Sequence, residues 1–254
     1  MHLHFIASAA PLAQKVAEAY RSLYGETSAE NADVFVPLGG DGTMLAAMRL
    51  ALRYGTPLFG ENFGHLGYLM NPSYQKESLL ERIKKAVTVT FHPLNITATL
   101  RNEPKEVQLC AFNEGVIRRM STQSAHLQVR YIINGQEKGG SELKHCDGCI
   151  VATPLGSRAY WQAVGGRSIP WARPVLGIHS ICSRAKLASR VNDNTEIVVK
   201  PIDPFHRPVT VSGDNQECKE PISSCRIALN HQKSVRLMFD PKILLAKQIA
   251  QHIR

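Results

Sequence analysis

Ala32-Asp33-Val34-Phe35-Val36-Pro37-Leu38-Gly39-Gly40-Asp41-Gly42-Thr43 is the stretch from which the rest of the chain can be read. Its first seven residues are rich in β-branched and aromatic side chains and stop at a glycine pair. Met44, Leu45, Met48, Ala51 and Leu52 then recur on one helical face, so the segment predicts a strand, a tight glycine turn and a helix. Upstream, Leu3 to Ala7 is a short apolar run. Leu12, Val16, Ala19, Tyr20 and Leu23 follow at helical spacing up to Gly25, giving the same strand-then-helix order. Downstream, Thr56 to Gly60 predicts a third strand, a glycine-rich passage runs to Gly67, and Ser78 to Val87 predicts an amphipathic helix. Alternation of this kind over the first ninety residues points to an open, parallel α/β sheet, whose ligands bind at the carboxyl ends of the strands.

From about Thr88 the pattern changes to short strand-like runs: Val89 to Phe91, Asn95 to Leu100, Val107 to Leu109, Val116 to Arg118 and Leu127 to Ile133. More follow at Gly148 to Ala152, Glu196 to Val199, Pro208 to Val211, Ser224 to Leu229 and Val235 to Phe239. Turn signals such as Asn134-Gly135 separate several of them, and Leu244 to Ile253 closes the chain as a helix. The expected organisation is an α/β domain over residues 1–90, with 240–254 packing back onto it, and a mainly β, layered or sandwich domain over 91–239.

Composition narrows the partners. The 254 residues are 44% hydrophobic and 20% charged, enough for one sizeable core or two modest ones. No stretch approaches the roughly 18–20 apolar residues of a membrane span, and the start lacks a signal-peptide pattern, so a cytoplasmic protein without membrane partners is expected. Thirty Lys and Arg against 21 Asp and Glu give a net charge of +9, which suits an anionic partner such as a nucleotide or polyphosphate. The basic residues are scattered and lack the Arg/aromatic interleaving that stacks bases, which argues against nucleic acid. Six cysteines are too sparse for a disulfide scaffold. Cys146-Asp147-Gly148-Cys149 has C-x-x-C spacing, but no second pair answers it, so a metal site is not expected there.

The glycine turn carries the sharpest chemistry. Three glycines in four positions ahead of a helix let backbone amides approach phosphate oxygens, with the helix dipole favouring an anion. A carboxylate inside such a loop is a poor phosphate ligand. Asp41 is better suited to accept a proton from a hydroxyl nucleophile or to bind magnesium, although a plain turn with Asp41 capping the helix also fits this stretch alone. Neither the Walker loop ending in Gly-Lys-Ser/Thr nor the G-x-G-x-x-G dinucleotide fingerprint is present.

The Gly39–Thr43 loop resembles that of the NAD kinases and, more distantly, of the diacylglycerol and sphingosine kinases and the phosphofructokinases. Further motifs in order are similar to the NAD kinases specifically: Asn62-Phe63-Gly64-His65-Leu66-Gly67-Tyr68-Leu69, then Phe112-Asn113-Glu114, then Asp147-Gly148 with Thr153-Pro154-Leu155-Gly156-Ser157-Arg158-Ala159-Tyr160. Val211-Ser212-Gly213-Asp214-Asn215-Gln216 is a fourth echo.

The resemblance implies an enzyme that moves a phosphoryl group from ATP or polyphosphate to the 2'-hydroxyl of the adenosine ribose of NAD, helped by a divalent cation such as magnesium. It implies that Asp41 is the general base and that Gly40, Gly42 and Thr43 lie near phosphates. Asn113 and Glu114 would hold the adenosine part. Tyr68 would pack beside adenine, and Asp147, Ala159 and Tyr160 would wall the dinucleotide. Arg118, Arg119, Lys144, Arg184, Lys186 and Arg190 are further basic candidates for phosphates, and His65 is expected to be structural. A homodimer or homotetramer is implied as well. Two positions depart from the family pattern: Leu155 and Arg158 replace small hydroxyl residues. Arg158 offers a bidentate cation for a phosphate instead. The departures leave room for a non-catalytic or altered dinucleotide-binding homologue, and the loop alone for a lipid kinase.

Overall fold

The computed structural model describes residues 1–65, 67–73 and 77–252. Leu66 of the second motif and the expected helix end at Ile253 lie outside them. The chain divides into two compact units, Met1–Phe91 with the segment returning from Lys233, and His92–Gln232. Val235–Phe239, expected in the mainly β domain, belongs to the first unit.

The first unit opens with strand β1 (Leu3–Ala7) and helix α1 (Pro11–Tyr24), then β2 (Val34–Gly39) and α2 (Asp41–Tyr54). β3 (Glu61–Asn62), β4 (Asn71–Pro72), α3 (Leu79–Lys85) and β5 (Val87–Phe91) follow. β1 to β4 form a parallel sheet in that order. Every residue of β2 is buried, which is why its sequence reads as a continuous apolar run rather than an alternation. α1 buries Ala13 and Ala17, and α2 buries Met44, Ala47, Met48 and Ala51, the helical stripes seen in the sequence. The expected strand at Thr56 to Gly60 reduces to single bridges from Leu58 to Phe35 and Leu237, and the regular parallel pairing comes later, at Glu61–Asn62.

The second unit holds β6 (Leu94–Leu100), β7 (Glu106–Ala111), β8 (Glu114–Arg119), β9 (Ala125–Ile133), β10 (Gln136–Cys146) and β11 (Gly148–Ala152). A 3₁₀ turn at Leu155–Arg158 and α4 (Tyr160–Ala163) come next. β12 (Val175–Ile181), β13 (Ala188–Asn192), β14 (Glu196–Pro201), β15 (Val209–Gly213), β16 (Gln216–Glu217) and β17 (Ile222–Leu229) complete it. The strands make two six-stranded antiparallel sheets, ordered β10-β9-β14-β17-β6-β7 and β13-β12-β11-β8-β15-β16. Their alternating inward residues, among them Ile96, Leu127, Val129, Ile197 and Ile227 from one sheet and Ile117, Val151, Ile178 and Val211 from the other, form one core. The second unit is thus a sandwich, as expected.

The returning segment supplies β18 (Val235–Phe239), which pairs antiparallel with β5, and α5 (Pro241–His252). A buried polar knot ties it to the first sheet. Arg82 bonds Glu61, the Asp240 carboxylate at 2.8 Å and the Pro72 carbonyl, while Tyr20 donates to the other Glu61 oxygen at 2.9 Å. Glu61 is fully buried, so removing Arg82 would strand a charge in the interior.

Candidate functional site

In the first unit the glycine turn delivers Asp41 to the first position of α2. Gly39 has no room for a side chain, since a Cβ there would lie 2.3 Å from the Thr43 hydroxyl. Gly40 holds the cap position without a side-chain bond, and Thr43 N–H goes to the Gly40 carbonyl at 3.0 Å. Asp41 therefore does not cap its own helix. Its Oδ2 accepts the Tyr68 N–H at 3.0 Å and its Oδ1 accepts the Leu69 N–H at 2.9 Å. Burial pushes the Asp41 carboxyl above its ordinary value, and the Leu69 and Tyr68 amides and the Lys247 charge oppose that rise. Each oxygen takes one amide and keeps a further lone pair for an incoming hydroxyl.

Next to Asp41 the loop is open at Gly42. Nothing lies within 4 Å of a Cβ added at Gly42, which is exposed. Gly67 is pressed against the Asn62 side chain, which closes its own turn by bonding both polar groups of Gly64. Tyr68 is 37% exposed, although its backbone amide, at Asp41, is what the sequence could not disclose. His65, expected to be structural, is exposed.

In the second unit Asn113 and Glu114 sit where the chain enters β8, and Asp214 organises them. Asp214 has φ 49°, in the left-handed region, at the turn between β15 and β16. Its carboxylate accepts the N–H groups of Phe112 at 2.8 Å, Asn113 at 2.9 Å and Glu114 at 3.4 Å. From the other side the Thr153 hydroxyl donates to the Phe112 carbonyl at 2.6 Å, and the Thr153 N–H to the Asn113 carbonyl. Gly156 packs so tightly on Asn113 that a Cβ would fall 2.2 Å from its carbonyl oxygen. The Glu114 carboxyl is buried with Oε2 lacking a partner in the protein. Desolvation, then repulsion from Asp214, pushes its pKa up to about 8. At neutral pH it is mostly a protonated acid, able to donate as well as accept.

Asp147 stands elsewhere. β11 runs antiparallel to β8 with Ala152 opposite Glu114 and Gly148 opposite Arg118, so Asp147 is just past the far end, about 17 Å of strand away. It accepts Arg119 Nε at 2.5 Å. Asp147 and Tyr160 line a common cavity of about 620 Å³ with Arg118, Arg119 and Cys182. Arg184 and Lys186 line a neighbouring one of about 610 Å³ that also contains Tyr160. The second unit thus brings Asp147, Tyr160 and a basic wall together, with Asp147 at the end of β11 away from Glu114. Ala159 is exposed between the 3₁₀ turn and α4.

The two departures resolve differently. Leu155 is only 7% exposed and so is part of the interior. Arg158 is half-buried, with Nε 3.4 Å from the Ser168 hydroxyl. Cys146 and Cys149 are buried thiols, Cys146 raised to about 11 by desolvation, and among the described residues no three His, Cys, Asp or Glu side chains are grouped as a metal cage requires.

Residues 5–89, which contain the Asp41 loop, match the family model described as the ATP-NAD kinase N-terminal domain. The chain is 36% identical to an NAD kinase of Rhizobium meliloti over 94% of its own length and 91% of the relative's, and 32% identical to one of Hyphomonas neptunium over 98% and 96%. It belongs to the NAD kinase family. Solved structures carry the same fold at low identity. A yeast NADH kinase complexed with NADH matches with a TM-score of 0.75 and 17% identity, over 93% of this chain and 74% of that one. An NAD kinase from Archaeoglobus fulgidus in complex with ATP matches with a TM-score of 0.72 and 21% identity, over 98% and 99%.

Proposed function

We infer that this NAD kinase family chain transfers the terminal phosphoryl group of ATP to the 2'-hydroxyl of the adenosine ribose of NAD, giving NADP. One observation carries the reading beyond family membership: a partly buried carboxylate, Asp41, held by two amides at the open mouth of a glycine turn instead of capping its helix. Asp41 takes the hydroxyl proton as the ribose oxygen forms its bond to phosphorus and the bond from phosphorus to the ADP oxygen breaks. The amides of Gly40 and Gly42 face the phosphates with the Thr43 side chain nearby, and the Tyr68 ring stacks on adenine. Asn113 and protonated Glu114 hydrogen-bond the adenosine, and Asp147, Ala159 and Tyr160 contact the remainder of the dinucleotide, with Arg158 near its phosphates. The burial of Leu155 supports retention of activity, because the position most foreign to the family pattern is used for packing.

A divalent cation, magnesium by its usual partnership with triphosphates, would neutralise charge on the transferring group. It fits here as a companion of the ATP phosphates, since the described residues offer no cage of their own. Among the described residues no helix is long and apolar enough to cross a membrane. A cytoplasmic homodimer or homotetramer is the assembly proposed, checked by light scattering on the purified chain.

The test is direct. Purified protein is given NAD or NADH with labelled ATP and magnesium, then with polyphosphate, and the 2'-phosphorylated product is counted. Asp41→Asn is expected to lose about 100-fold or more of kcat while dinucleotide binding persists. Near-normal turnover in that variant removes Asp41 as the base, and dinucleotide binding without product from any donor overturns the kinase reading.

A further inference from the structure

Two consecutive peptide groups lie between Asp41 and the C-terminal helix, and each is bonded at both ends. The peptide joining Gly67 to Tyr68 gives its N–H to Asp41 Oδ2 at 3.0 Å, and its carbonyl accepts Lys247 Nζ at 3.0 Å. The peptide joining Tyr68 to Leu69 gives its N–H to Asp41 Oδ1 at 2.9 Å, and its carbonyl accepts the same Nζ at 2.7 Å. In a trans peptide the C=O and N–H point in opposite directions, so an ammonium on one side and a carboxylate on the other both favour one orientation of each plane. A charge at the carbonyl also polarises the N–H that faces Asp41.

The lysine itself is well anchored. Asp240, the residue before α5, pairs with the buried Arg82, and the helical amides of Ile243 and Leu244 return to its carbonyl. Leu244 is buried, and the Lys247 ammonium lies 5.6 Å from the centre of the Phe239 ring. The Gly67 carbonyl also accepts the Met70 N–H, at a longer 3.4 Å, so Lys247 supplies the shorter of its two bonds.

We propose that Lys247 is a positioning residue for phosphoryl transfer, acting on Asp41 through the Gly67–Tyr68 and Tyr68–Leu69 peptides. It holds the two amides in register with the carboxylate, and so fixes the direction in which the remaining lone pairs face the hydroxyl. The proposal rests on the reading of Asp41 as the proton acceptor.

The experiment is a double-mutant cycle on the full chain with NAD, ATP and magnesium, run well below the melting temperature. Lys247→Met, which keeps the stem and removes the charge, is expected to lower kcat about tenfold with KM for both substrates within about twofold. Lys247→Arg, which restores a cation with several donors, is expected to recover most of that loss. In an Asp41→Asn background, adding Lys247→Met is expected to cost nothing further. Should Lys247→Met fail to fold, Lys247→Gln replaces it with the same expectations. Unchanged kcat in the Lys247 variant, no recovery with arginine, or a full additional loss in the Asp41→Asn background would each overturn the proposal. A fully active Asp41→Asn single variant instead overturns the assignment of the base, a result the cycle reads separately.

Discussion

Glu114→Gln separates a buried acid from an ordinary surface carboxylate. The Glu114 carboxyl goes from an ordinary value of 4.5 to about 8 in the folded chain, because burial and then Asp214 disfavour its charge. Below pH 4.5 both folded and unfolded chains hold the proton, and ionisation makes no difference to stability. As pH rises through 4.5 the unfolded chain releases its proton while the folded one retains it until about pH 8, so folding loses stability across that window and then levels off. The loss amounts to about 5 kcal/mol above pH 9 and about 1 kcal/mol at pH 5. Glutamine has nearly the same shape and cannot ionise. Its stability relative to the wild type should therefore rise by about 4 kcal/mol between pH 5 and pH 9, or on the order of 10 °C in melting temperature. Any constant cost of fitting the amide cancels in that comparison. Thermal melts of the two proteins without nucleotide, at half-unit pH steps, give the curve. A melting difference that does not change with pH would refute the buried-acid assignment, and with it the role of Glu114 as a hydrogen-bond donor to substrate.

The glycines make two opposed predictions. Gly156→Ala drives a methyl group into the Asn113 backbone and should destabilise the second unit by about 1–3 kcal/mol in urea titrations, with weaker NAD binding. Gly42→Ala meets no protein atom within 4 Å, so its melting temperature should match or slightly exceed the wild type while activity falls about tenfold. Retained activity would mean that nucleotide phosphates do not approach that face of the loop. Cysteine labelling checks the thiols: with iodoacetamide at pH 8, exposed Cys182 should react first, while Cys146, Cys149 and Cys225, all raised by burial, stay unmodified until denaturant is added. Labelling of Cys146 at the rate of Cys182, read by mass spectrometry, would contradict their burial.

What the sequence disclosed follows from the range over which each signal acts. β2 and α2 were legible because burial of a whole strand and of one helical stripe dictates residue type at every step. β10 was not, since its first five residues are exposed and its only buried ones, Leu143 and Cys146, are three apart across a bulge, which breaks the alternation. β12 was hidden behind Pro174 and carries Gly177, which is there because a Cβ would collide with Trp161. Val235–Phe239 read correctly as a strand, but alternation says nothing about which sheet it joins, and its partner β5 lies more than 140 residues away in sequence.

The site divides in the same way. Motif order named Asp41, Asn113 and Glu114 and included Asp214 in its fourth echo, but it could not say that the Asp214 carboxylate holds the Asn113 and Glu114 amides, nor that Asp41 depends on the amides of Tyr68 and Leu69 and, behind them, the ammonium of Lys247. A backbone amide has no side-chain signature, so a clamp built from two of them is invisible until the chain is folded. On the proposed reading, Tyr68 has two separable roles, a ring for the nucleotide and an N–H for Asp41. Tyr68→Ala keeps the amide and removes only the ring, so it should weaken nucleotide binding while leaving kcat at saturating substrate nearly intact. Lys247→Met should do the reverse. If the two variants instead gave the same mixture of KM and kcat effects, ring and clamp would not be independent, and Asp41 would owe its orientation to the Tyr68 side chain rather than to the peptide on either side of it.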